Sequence, residues 1–146
     1  MIAYCGDAQA TLDIIRNAGI HVVMGNCEES LGEDRSDCGC GFAEGSACDL
    51  LSVQWFAHAR EALSDDAKEW MHRLPRYLTF QMSGRRLAVI HGGGENISRF
   101  VFHSTPLEEK QWEIATLGVD GVIAGHCGMP FTESIGNQIW HNAGVI

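Results

Sequence analysis

The chain is 146 residues long, a length suited to one domain and enough to bury a full core without disulfide or metal staples. Ten Lys and Arg against nineteen Asp and Glu leave a net charge of −9 with His neutral, and 45% of the residues are hydrophobic. That balance excludes a disordered chain and gives duplex nucleic acid little to hold, the longest basic run being Arg85-Arg86. No apolar run approaches the roughly 20 residues that cross a bilayer, and the segment from Met1 to Asp7 has neither a basic start nor a long apolar stretch. The expectation is a cytoplasmic protein with no membrane partner. Its six cysteines, Cys5, Cys27, Cys38, Cys40, Cys48 and Cys127, then read as reduced thiols or metal ligands before disulfides.

The first element is a strand over residues 2–5, cut short by Gly6-Asp7. Residues 8–18 set Leu12, Ile15 and Ala18 on one helical face, with Gly19 as the stop. His21 to Met24 reads as a second strand ended by Gly25-Asn26. Residues 31–48, rich in Gly, Asp, Ser and Cys, show no period and read as a surface excursion or a thiol-bound loop. A helix follows over 49–63, and another begins after the N-cap Ser64 and stops before Pro75. Residues 77–82 and 86–91 flank Ser83-Gly84 as a hairpin. Thr105 as N-cap, Pro106 at the first helical position and Glu108 as capping acid predict a helix closed by Gly118. Residues 119–124 form the next strand, and Gly136-Asn137 turns a last hairpin. The architecture is α/β with strands of both directions, in one domain over residues 1–146.

Four polar motifs follow four apolar strands: Gly6-Asp7, Gly25-Asn26-Cys27-Glu28, His91-Gly92-Gly93-Gly94 and Gly125-His126-Cys127-Gly128. In an α/β sheet the carboxyl ends of strands share an edge, so such motifs converge on one crevice. Asp, Asn and two His make a ligand set suited to Mn, Fe or Zn. Taken singly, Asp7 reads equally well as a helix N-cap.

The ordered set Gly-Asp, Gly-Asn-x-Glu, His-Gly, Gly-His-x-x-x-Pro and Asn-Ala-Gly, which ends at Pro130 and at Asn142 to Gly144, resembles the calcineurin-like metallophosphoesterase superfamily in its small bacterial phosphatase and phosphodiesterase branch. The resemblance implies a four-layer α/β/β/α sandwich with mixed sheets and one or two divalent metals. It also implies hydrolysis of a phosphate mono- or diester, on a small molecule or nucleotide, by a metal-bound hydroxide. Asp7 would bridge the metals, and Asn26, His91 and His126 would complete one shell. The family's Asp-x-His for the other metal does not precede Asp7, so either the first strand is missing at the N-terminus or the protein lacks that motif, with the C-terminus left open. Gly128 replaces a second His of the family pattern, and Cys27 replaces the His assigned to the leaving group.

Cys27 and Cys127 are candidate soft ligands that would select Zn, and His141 is a candidate replacement ligand. Cys38, Cys40 and Cys48 could build a structural zinc site, against the plainer reading of a loop with reduced thiols. Glu28 reads as an orienting companion. His21, His58, His72 and His103 read as structural or surface residues, and Trp55, Phe56, Trp70 and Trp112 as core. The rival to the enzyme is a degenerate, non-catalytic scaffold of the same fold that binds a partner protein, an idea favoured by Cys27 and Gly128.

Overall fold

A helix starts where some group satisfies the free amides of its first turn, and the first half of the chain does this four times. The structure, a computed structural model, describes residues 4–144. It divides into two units, Met1–Leu74 and Pro75–Ile146. In the first, α1 (Ala8–Asn17) is capped by the Asp7 carboxylate, which accepts from the Ala10 amide at 3.0 Å. Ser46 and Ser64 do the same for α3 (Ala47–Ala62) and α4 (Asp65–His72), accepting from the amides of Asp49 and Ala67. The short α2 (Asn26–Gly32) uses Glu28 instead, whose carboxylate reaches back to the Gly25 amide at 3.2 Å.

These helices bury Ala8, Leu12, Leu31, Phe56, Ala59, Ala67 and Met71 in one cluster. Cys27, Cys38 and Cys40 belong to the same cluster, so sulfur occupies core volume that aliphatic carbon usually fills. Residues 33–45 are irregular, as their composition predicts.

Three expectations are corrected here. Residues 21–24 form no strand: a strand needs a neighbour, and no strand of the described residues pairs with them. Its expected partner falls mostly on residues 1–3, outside the described residues, while Tyr4 and Cys5 are not in a strand. The segment after Gly25, read as a strand-end turn, is α2. Cys38 and Cys40 are joined to each other as a disulfide rather than held as reduced thiols.

The second unit is a mixed five-stranded sheet in the order β1-β2-β3-β5-β4. β1 (Tyr77–Met82) and β2 (Arg85–Ile90) form the predicted hairpin, with Tyr77 opposite Ile90 and Met82 opposite Arg85. Ser83 and Gly84 both take positive φ, 51° and 76°, the twist that a two-residue loop needs to suit its strands. β2 and β3 (Gly121–Ala124) are parallel, with α5 (Leu107–Leu117) as the crossover. β5 (Gln138–Asn142) runs parallel to β3 and is paired antiparallel with β4 (Phe131–Ile135) through the predicted Gly136-Asn137 turn. Ala88, Ile90, Ile114, Val122, Ala124 and Trp140 are the centre of this unit's core.

Helix α5 starts one residue later than expected, with Pro106 rather than Thr105 at the N-cap. The Thr105 hydroxyl is engaged elsewhere, accepting from the Phe102 amide at 3.0 Å. Gly118 closes the helix at φ 64°, as predicted. Trp55 and Trp112 are 40% and 49% exposed rather than core, whereas Phe56 is buried and Trp70 packs against the first cluster. No helix among the described residues is long and apolar enough to cross a membrane.

Candidate metal centre

Because β2 and β3 are parallel neighbours, the residues that follow them emerge at the same sheet edge. The Gly125 amide donates to the His91 carbonyl at 2.7 Å, which continues the ladder past both strands and sets His91 beside His126. The result is a facing pair of imidazoles, His91 Nε2 and His126 Nδ1 at 3.1 Å. Two nitrogens bound to one tetrahedral ion at about 2.0–2.1 Å stand roughly 3.3 Å apart, so the spacing fits a shared cation.

The electrostatics fit as well. Burial, then the neighbouring His126, pull His91 down to about 4. Burial also lowers His126, and a contact to the Ser98 backbone opposes part of that shift. His126 Nε2 is buried without a hydrogen bond of regular geometry. Both rings are therefore neutral at pH 7, the form in which imidazole ligates.

The surroundings hold this pair in place. His126 takes φ 60°, a left-handed conformation uncommon outside Gly but one that His, like Asn and Asp, adopts more readily than most residues. The Phe100 ring lies against its imidazole, 4.3 Å between centroids. A Cβ on Gly92 would sit 2.4 Å from the Ile97 carbonyl oxygen, so only glycine lets the loop after His91 fold back so tightly. The Gly94 amide donates to Glu113 at 2.7 Å, and Arg99 bridges Glu113 and Glu109. Asn142, fully buried, donates to the Gly125 carbonyl at 2.7 Å and accepts from the Gly144 amide. Gly144 in turn packs against Pro130. Asn142 and Glu113 thus position the two histidine loops. Neither stands among the expected ligands, although Asn142-Ala143-Gly144 was already part of the motif set.

The remaining candidates are placed as follows. Asp7 is exposed and caps α1. Asn26 is buried as the first residue of α2 and donates to the Cys38 carbonyl at 2.7 Å and the Cys40 sulfur at 3.2 Å. Cys27 is buried beside them, and burial, then Glu28, push its thiol up to about 12. Glu28 orients the start of α2, as expected. Cys127 is half-buried, its thiol donating to the Met129 carbonyl at 3.6 Å. His141 pairs across the β4–β5 ladder with the Thr132 hydroxyl at 2.8 Å. Cys48 is exposed on α3, apart from the group that does form, Cys27, Cys38 and Cys40.

The profile of the calcineurin-like phosphoesterase superfamily domain matches residues 1–146. The chain belongs to this superfamily. Solved structures support the fold: a hypothetical protein of Pyrococcus horikoshii has a TM-score of 0.66 at 11% identity, over 92% of this chain and 55% of that one. A metallophosphoesterase from Sphaerobacter thermophilus has a TM-score of 0.61 at 12% identity, over 94% of this chain and 59% of that one. The chain therefore spans a little over half the length of each. No curated protein matches the sequence. Within the superfamily, metal-dependent hydrolysis of phosphoesters is the general chemistry.

Proposed function

We propose that this superfamily member hydrolyses a phosphate monoester or diester, on a small molecule or nucleotide, with a divalent ion held by His91 and His126. Asp7 and Asn26 are the remaining ligands in this reading, taken from the order of the motifs. A divalent ion at such a centre supplies Lewis acidity towards phosphoryl oxygens and lowers the pKa of water. The chain's own contribution begins with two imidazoles that need lose no proton to ligate. Asn142 and Glu113 hold the loops that carry them, and an Asn ligand adds no negative charge. Cys27 stands where the family pattern has a His, and a thiol, neutral or ionised, presents no cation to a leaving group. Loss of one such preorganised donor commonly costs about 10²–10³ in rate, and turnover is expected to be slow. Mn, Fe or Zn would suit the set, and the cytoplasm is the compartment in this proposal.

The observation that carries the proposal is the 3.1 Å pair of His91 and His126. Elemental analysis of wild type and of His91→Ala/His126→Ala tests it, alongside turnover of p-nitrophenyl phosphate and bis(p-nitrophenyl) phosphate. With the Cys38–Cys40 disulfide intact, the double variant is expected to lose bound metal and activity together, and unchanged metal content would overturn the assignment.

A second reading, the non-catalytic scaffold that binds a partner protein, is favoured by the exposed apolar side chains of α3. Leu50, Leu51 and Val53 are all more than half exposed, an uneconomical surface for a monomer. Metal binding in wild type with no turnover of either ester would favour it.

A further inference from the structure

In the first unit the sulfurs of Cys27, Cys38 and Cys40 lie within 4.8 Å of one another, all three residues buried. Three convergent sulfurs in a core are the donor set of a soft-metal site, and here two of them are tied together as a disulfide. Around a tetrahedral zinc with Zn–S bonds of about 2.3 Å, sulfurs stand roughly 3.8 Å apart, a spacing within reach of this cluster. We propose that Cys27, Cys38 and Cys40 form a zinc site once the Cys38–Cys40 disulfide is reduced.

Three features prepare the place for an ion. The Asn26 side-chain amide donates to the Cys40 sulfur at 3.2 Å and to the Cys38 carbonyl at 2.7 Å, which holds the loop over α2 and offers an N–H to a thiolate. The Ser30 hydroxyl, one turn beyond Cys27, is buried with no hydrogen-bond partner, and it lies against Gly39 between the two bonded cysteines. A buried hydroxyl left unpaired is unfavourable, and a thiolate nearby would give it an acceptor. Finally, a cavity of about 260 Å³ lined by Cys38, Cys40, Asp37, Asp49, Phe42 and Ser52 gives access from solvent. It also leaves room for a water or a carboxylate as fourth ligand.

The redox step balances with a phosphine as reductant. Two electrons pass from phosphorus to the sulfur–sulfur bond, the two sulfurs leave as thiolates, and phosphorus takes its oxygen from water. Zinc then displaces the proton of Cys27, and the ion is shared by three sulfurs.

Cobalt(II) is the probe, because a thiolate-to-cobalt charge-transfer band reports sulfur ligation and ignores any ion held by histidine alone. The full chain, reduced with a water-soluble phosphine, is expected to develop that band with one equivalent of cobalt and to lose it when zinc is added. The untreated disulfide form is expected to show none. Cys27→Ala should lose most of the intensity, while Cys48→Ala and His91→Ala/His126→Ala should keep it. Alkylation of the wild type gives a test that needs no variant. With zinc present, Cys27, Cys38 and Cys40 should be protected from iodoacetamide while Cys48 is modified. Absence of the band in the reduced wild type, or equal alkylation of all four cysteines with and without zinc, overturns the proposal.

Discussion

Lowering the pH should destabilise the metal-free protein through His91. In an unfolded chain its imidazole titrates near 6.5, while in the folded protein burial and His126 hold it to about 4. The sign follows from proton counting. Above pH 6.5 both states carry the neutral ring, so the group does not affect the balance. Between 6.5 and about 4 the unfolded chain takes up a proton that the folded one refuses, so stability falls as pH falls through this window. Below about 4 the loss is complete. The interval corresponds to about 3 kcal/mol, or a drop in melting temperature of about 6–12 °C for a chain of this size. The assay is thermal unfolding of chelator-treated protein from pH 7.5 to 3.5, compared with His91→Gln, which lacks the titrating ring. Proton NMR of the His91 ring supplies the folded-state value directly. A His91 resonance titrating near 6.5, or parallel pH curves for wild type and variant, would refute the reasoning.

Two further changes test the packing that positions the site. Asn142→Ala removes both the donor to the Gly125 carbonyl and the acceptor for the Gly144 amide. It should cost about 2–3 kcal/mol and weaken metal binding at His126, read by calorimetric metal titration; unchanged affinity would show that Asn142 does not position that loop. Lys110 is fully buried, with its ammonium paired to Glu133 and bonded to the His103 carbonyl at 2.9 Å. Glu133→Ala strands that charge and should cost about 3–5 kcal/mol in urea unfolding, whereas the double change to Lys110→Met/Glu133→Leu should recover most of the loss.

The parts of the fold that the sequence makes legible are those decided within a few residues. Ser64 before Asp65-Asp66 marks a cap because a serine oxygen three residues before a free amide has one obvious use. Ser83-Gly84 and Gly136-Asn137 mark hairpins because few residues tolerate positive φ. The parts decided at a distance are not legible in this way. Val22, Val23 and Met24 have strand-forming side chains, yet strand formation also needs a neighbour, and local pattern carries no record of one. Gly25-Asn26 reads as a turn, and only Glu28 three residues later hints at the helix that follows. Lys110 and Glu113 look like solvated charges on α5, since nothing local announces their partners Glu133 and Arg99.

The same division runs through the site. His91 and His126 are visible because each ends an apolar strand, and parallel pairing of β2 with β3 then makes their meeting a consequence of topology. Asp7 shows the opposite limit: its position one residue before Ala8 suits a capping carboxylate and a metal ligand alike, and the structure shows the cap. Cys38-x-Cys40 is ambiguous for a chemical reason, because two neighbouring thiols can pair as a disulfide or ligate a metal and the redox state chooses between them. What decides its company is Cys27, placed inward by a helix whose start depends on Glu28. The Glu28 carboxylate bonding back to the Gly25 amide starts the helix that turns Cys27 inward, and the Asn26 side chain holds Cys38 and Cys40 against it, so three sulfurs meet in one core.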